Sequence, residues 1–161
     1  MEKNETILVS SICIPRKENK VPQNSQRRYS KRFRIMKFAL IAHDNKKADM
    51  VAFVSKRLPF FNREDVEIVT TGTTGKHCKH AGIKNLETVN SGPLGGDAEI
   101  ATQVVRGEIT AVIFMRDPLD KHPHDVDISM LMRLCDVHNV PLATNYKTAS
   151  ILIKWFKNLD N

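Results

Sequence analysis

Lys37-Phe38-Ala39-Leu40-Ile41-Ala42-His43-Asp44 is the stretch whose reading decides the fold. From Phe38 to Ala42 it is apolar without alternation, as a strand covered on both faces must be, and it ends abruptly on two polar, titratable residues. Ala111-Val112-Ile113-Phe114-Met115 repeats the pattern and leads to Asp117. Outward from these two, shorter apolar runs at 66–70, 86–89 and 141–144 alternate with longer amphipathic ones, so strands are expected at 37–42, 66–70, 86–89, 111–115 and 141–144. Val51, Val54 and Leu58 stand at i, i+3 and i+7, and Ile128, Leu131, Met132 and Cys135 at i, i+3, i+4 and i+7. Both sets read as core-facing helical stripes. A last helix over 148–157 is expected to bury Ile151, Leu152, Trp155 and Phe156. Strands alternating with helices predict one α/β domain over 36–161: a doubly wound, mainly parallel five-stranded sheet with helices on both faces.

Composition agrees with a chain of this kind. At 161 residues, with 41% hydrophobic and 27% charged, it is long enough for one real core and too short for a multidomain enzyme. It holds no apolar run of the ~20 residues that span a bilayer. Three cysteines, Cys13, Cys78 and Cys135, form no CxxC pair, which argues against a disulfide framework and for a reducing compartment.

The net charge of +7 invites a nucleic-acid reading until it is located. Residues 1–35 hold nine Lys or Arg against three Glu, a net +6 of that +7, so the body of the protein is nearly neutral. This segment has no periodicity beyond an apolar patch at 7–14, contains Pro15 and Pro22, and places its basic residues mostly after the patch instead of before it, unlike a secretory signal. It is read as a disordered basic extension, or as sequence upstream of a start at Met36, and no specific nucleic-acid partner is expected.

In an open α/β sheet, ligands bind outside the carboxyl ends of the strands. Four consecutive loops of that kind carry polar, Gly-rich or titratable residues: His43-Asp44, Thr71-Gly72-Thr73-Thr74-Gly75, Ser91-Gly92-Pro93-Leu94-Gly95-Gly96-Asp97, and the segment from Asp117 to Asp127. The Thr-Gly loop suits a phosphate, because its glycines let backbone N–H groups come close, its hydroxyls donate, and the helix that follows adds its positive end. A simple N-cap with turn glycines is the other reading of the same loop. Neither GxxxxGK[ST] nor GxGxxG occurs, so a nucleoside triphosphate or dinucleotide is not expected. Asp97 opens a helix as either a base or a cap.

His122, His124, Asp125 and Asp127 form the densest titratable cluster. One reading is a divalent-metal site; the other, which we favour, makes His124 an acid/base group and Asp127 a carboxylate facing Asp97. His77, Cys78 and His80 read as surface or packing groups, and His138 as a partner of a helix's negative end.

Taken in order, His-Asp, Thr-Gly-Thr-Thr-Gly, Ser-Gly-Pro-Leu-Gly-Gly-Asp, Asp-Pro-Leu followed by Pro-His-Asp-x-Asp, and Pro-Leu-Ala-Thr-Asn at 141–145 resemble the methylglyoxal synthase family. The resemblance spans about 36–156. It implies a cytoplasmic, homohexameric lyase that converts dihydroxyacetone phosphate to methylglyoxal and inorganic phosphate without a metal or other cofactor. By the same resemblance Asp97 is the base, and His43, Lys47, Thr71, Gly72, Thr73, Thr74, Ser91, Gly92 and His124 contact the substrate and its phosphate. Asp44, Asp117 and Asp127 are the supporting carboxylates, with Asp97, His124, Asp127 and His43 as the catalytic set. The family usually continues past the last helix into a tail with a basic residue that reaches a neighbouring subunit, which this sequence, reading to Asn161, does not show. The resemblance also extends to two domains of other classes, the regulatory domain of carbamoyl-phosphate synthetase and a cyclohydrolase domain of purine synthesis.

Overall fold

The computed structural model of the chain describes residues 35–120 and 125–158. Within them five strands, β1 (Met36–Ala42), β2 (Val66–Thr70), β3 (Leu86–Thr88), β4 (Ala111–Met115) and β5 (Leu142–Ala143), form one sheet in the order β3-β2-β1-β4-β5. Every neighbouring pair is parallel. The expected strands are all present, with β3 and β5 shorter than the apolar runs that announced them. Val89 nonetheless extends the ladder by donating its N–H to Thr70 O at 2.9 Å.

The central strands show why their sequences do not alternate. Phe38, Leu40, Ala111, Ile113 and Met115 face one layer, built by α1 (Lys47–Ser55), α2 (Leu58–Phe61), α3 (Gly72–His80) and α6 (Tyr146–Asn158). Ala39, Ile41, Val112 and Phe114 face the other, built by α4 (Gly96–Val105) and α5 (Asp125–Val137). Both faces are dry, so both residue parities must be apolar. The first layer is rich in aromatics: the ring of Phe38 meets those of Phe60, Phe61 and Phe156 edge-on at centroid distances of 5.5, 6.4 and 5.0 Å.

Two helical expectations are corrected. The stripe Val51, Val54, Leu58 does not lie on one helix: α1 stops at Ser55, and Leu58 opens α2, where Pro59 stands in the first turn. Proline lacks the N–H that a continuing helix would need there. The buried face of α1 is Met50, Phe53 and Val54. In α6 the buried residues are Ala149, Ile153 and Phe156, whereas Ile151 and Trp155 are 61% and 55% exposed. α6 lies against the sheet and α1 along one narrow line, so only one of its two apolar stripes is covered. Of the stripe Ile128, Leu131, Met132, Cys135, three are buried as expected and Met132 is half-buried against the same core layer. The basic extension lies, apart from Ile35, outside the described residues.

The strand order places the reversal of winding between β1 and β4. From β1 the chain steps outward through β2 and β3, then crosses back to β4 and β5. Helices following the two directions lie on opposite faces, and in an open sheet of this kind the ligand crevice is expected at the carboxyl edge, where the winding reverses.

Candidate active site

His43 is the first residue beyond β1 and Asp117 the second beyond β4, and the structure joins them. The backbone N–H of Asp117 donates to His43 Nδ1 at 2.9 Å, and His43 N donates to Met115 O at 3.1 Å. A backbone amide can only donate, so Nδ1 is an acceptor and the neutral imidazole carries its proton on Nε2. The ring is 6% exposed and packs edge-on against Phe114, at a centroid distance of 4.9 Å. Asn45 bridges the two loops from the other side, donating through Nδ2 to Asp117 Oδ2 at 3.0 Å and to Asp120 Oδ2 at 3.4 Å. Asp117 Oδ1 also accepts the N–H of Leu119 at 3.1 Å. Asp44, on the 3₁₀ turn that follows, pairs with Lys47 at the start of α1.

The Thr-Gly loop enters α3 directly. Thr71 occupies the N-cap position in an extended conformation, but its side chain makes no capping bond; its hydroxyl lies 3.3 Å from that of Thr74, which reaches Ala42 O at 3.4 Å. The Thr71 and Thr74 hydroxyls thus bond within the loop and to β1, and Thr71 holds the N-cap position without a capping bond from its side chain. Thr73 and Thr74, in the first turn, have no acceptor within the helix for their N–H groups, which is the arrangement that receives an anion. A groove of about 460 Å³ opens beside Gly72, Thr73 and Ser91 and runs on past Lys76 and Lys79.

Ser91 and the 3₁₀ turn Gly92–Leu94 lead into α4 through Gly95, whose φ of +91° suits glycine. Gly95, not Asp97, holds the N-cap position of α4. Asp97 is the second residue of the helix and 1% exposed, so the cap reading of this carboxylate is corrected: it is a buried acid in a first turn. Asp127 stands, half-buried, in the first turn of α5, which packs along α4 through Ile128, Leu131 and Cys135 against Ile100, Ala101 and Val104. Because both helices leave parallel strands at the same edge, both first turns belong to the crevice end of the molecule. His122 and His124 lie outside the described residues. His77 and His80 are exposed, as expected, and the backbone N–H of His138, the residue after α5, bonds Leu134 O at 3.0 Å.

Burial pushes the thiols of Cys78 and Cys135 up to about 12 and about 11, the second helped by the charge of Asp136. Both are protonated at neutral pH and offer no thiolate. What the crevice offers instead is a carboxylate screened from water, an imidazole with a donor at Nε2, and helix-end amides for an anion.

The family model described as MGS-like domain matches residues 49–144. A methylglyoxal synthase of Borrelia garinii subsp. bavariensis is 49% identical over 124 residues, which are 77% of this chain and 97% of that protein. One of Geobacillus sp. strain WCH70 is 51% identical over 125 residues, 78% of this chain and 88% of the relative. The chain belongs to the methylglyoxal synthase family. The crystal structure of methylglyoxal synthase from Elizabethkingia anophelis NUHP1 superposes with a TM-score of 0.66 at 38% identity, covering 73% of this chain and 76% of that one.

Methylglyoxal synthase membership accounts for the loops that the motifs marked, but three residues at this edge carried no motif. Asn45 and Asn90 are hydrogen-bonding hubs of their loops. Arg116, at the end of β4, has a buried Nε without a hydrogen-bond partner among the described residues. All three adjoin marked residues directly, Asn45 next to Asp44, Asn90 next to Ser91 and Arg116 next to Asp117, which is the one signal that points to them.

Proposed function

We propose that the protein is a lyase that converts dihydroxyacetone phosphate to methylglyoxal and inorganic phosphate through an enediol phosphate, with no metal or organic cofactor. The observation that carries this reading is the burial of Asp97 in the first turn of α4, at the edge where His43 and the Thr-Gly loop also lie. Asp97 takes a proton from the carbon next to the substrate carbonyl, and the electron pair left behind moves toward the carbonyl oxygen. His43, presenting Nε2–H, and His124 donate to the enediolate oxygen as it forms. The enediol then expels phosphate from the adjoining carbon, and the remaining enol tautomerises to methylglyoxal.

Elimination wins over simple reprotonation when the C–O bond to phosphate stands perpendicular to the enediol plane. In this reading Lys47, Thr71, Gly72, Thr73, Thr74, Ser91 and Gly92 hold the phosphate and thereby set that torsion, so positioning is part of the chemistry. Asp117 supports His43 through its main chain, Asp44 supports Lys47 through their ion pair, and Asp127 is the third supporting carboxylate.

A cytoplasmic homohexamer that bypasses part of glycolysis goes with the same reading, as does the lack of a membrane or specific nucleic-acid partner. No helix among the described residues is long and apolar enough to cross a membrane. The exposed Ile151 and Trp155 of α6 are apolar surface of the kind that assemblies cover. Purified protein given dihydroxyacetone phosphate should release methylglyoxal, read by a colorimetric assay, and inorganic phosphate in equal amount. Release of neither product at millimolar substrate would remove the reading and leave a binding domain of the same fold.

A further inference from the structure

Three segments of the anion-binding side meet at Asn90. Its carbonyl oxygen accepts the N–H of Gly72, the first residue of α3, at 3.1 Å. The carbonyl of Ser91, next in sequence, accepts from Leu94 at 2.9 Å and from Gly96, the first residue of α4, at 3.0 Å. The backbones approach so closely that a Cβ on Gly96 would stand 2.0 Å from Asn90 O, and one on Gly72 would stand 3.3 Å from Ser91 N.

One side chain bridges this junction. Glu99 Oε1 accepts from Asn90 Nδ2 at 2.7 Å and from the backbone N of Asn90 at 3.3 Å. Glu99 sits two residues after Asp97 on the same turn of α4. A single carboxylate thus ties the loop that ends in Ser91 and Gly92 to the turn that holds Asp97, and through Asn90 O to the start of α3.

We propose that Glu99 and Asn90 form a clamp that sets the spacing between the phosphate-holding loops and the buried Asp97, with Glu99 a positioning residue that touches no substrate. This rests on the roles given above to Asp97 and to the two loops. Both clamp residues are exposed and outside either core layer, so removing the bond shifts geometry without opening a cavity. A carboxylate next to an anion site repels the anion, and the two N–H groups that converge on Oε1 give it a reason to be there. A glutamine, whose Oε1 accepts the same two bonds, should serve equally well.

The test is calorimetric binding of inorganic phosphate together with steady-state turnover of dihydroxyacetone phosphate, on the full chain and its variants. Glu99→Ala should weaken phosphate binding and raise KM about tenfold, the scale of a sub-ångström misplacement, with the melting temperature little changed. Glu99→Gln should stay within about twofold of the unaltered chain, since the acceptor is kept. Asn90→Asp, which sets carboxylate against carboxylate, should reproduce the alanine variant. Unchanged phosphate binding in Glu99→Ala, or equal impairment in Glu99→Gln, overturns the clamp. So does a lowered melting temperature with phosphate binding intact, since the bond would then serve stability alone. If the unaltered chain binds phosphate but forms no methylglyoxal, the proposed activity fails while the phosphate affinities still decide the clamp.

Discussion

In the proposed reaction Asp97 is the base, a buried acid in the first turn of α4, whose N-cap position is held by Gly95. Asp97→Asn keeps its shape and removes its basicity. Turnover should fall at least ~10²-fold in kcat, while phosphate still binds. Near-normal kcat would take Asp97 out of the mechanism and favour a regulatory domain. The cluster at 122–127 is tested by chelation: in our reading His124 and Asp127 act through hydrogen bonds, so exhaustive EDTA treatment should leave the rate unchanged. A chelated, inactive protein restored by zinc or manganese would make the cluster a metal site instead. Cys78 and Cys135 give a prediction with a definite sign. Their thiols are raised from an ordinary 9.0 to about 12 and about 11 by burial, so their contribution to stability is complete below pH 9. Above pH 9 the unfolded chain ionises first, and stability should decline as pH rises toward 11 and 12. Denaturant midpoints measured between pH 8 and pH 10.5 check this, and thiol reagents should leave both cysteines unlabelled in the native protein near pH 7.

At the scale of elements, the start of α4 shapes the proposed site, because it lies directly on the loop after β3. Gly96 makes that possible: any Cβ there meets Asn90 O at 2.0 Å, so either the helix or the Ser91 loop has to move. Gly96→Ala should cost about 1–3 kcal/mol by denaturant melt and lose phosphate affinity as well, because the displaced parts are those proposed to hold the anion. Phe38→Ala is the contrasting case. It removes a fully buried ring from the aromatic layer and should cost about 3–5 kcal/mol, with little effect on KM in the molecules that remain folded. Strands β1 and β4 were legible almost to the residue, since a strand buried on both faces has to be apolar, and β2, although Glu67 interrupts it, was legible from Val66, Ile68 and Val69. The break between α1 and α2 was partly legible in Pro59. The buried face of α6 was not: Ile151 and Trp155 are as apolar as Ile153 and Phe156, and only the position of the sheet chooses between them.

For the whole molecule the question is how much of the chain the fold needs. Every element described here begins at Met36 or later, and Met36 N already bonds Asp65 O at 2.8 Å as β1 joins β2. A chain beginning at Met36 should therefore fold and turn over like the full one. It would also lack nine basic and three acidic residues, so any retention of DNA or RNA by the full chain at low salt should vanish with the segment. Lost activity in the shortened protein, with native circular dichroism, would show that residues 1–35 take part in assembly or in the site.

By itself the sequence determined which segments are strands and which loops are candidates for chemistry, because both are local properties: apolar continuity answers to burial on two faces, and polar residues at a strand's carboxyl end answer to solvent and ligand. Only the tertiary structure decided which loops meet. Asp117 reaches His43 across 74 positions because β1 and β4 are neighbours, and that pairing sets which imidazole nitrogen carries the proton. Likewise the start of α4, the turn that carries the buried Asp97, lies directly on Asn90 because Gly96 has no Cβ, an approach between backbones that no pattern of side chains records.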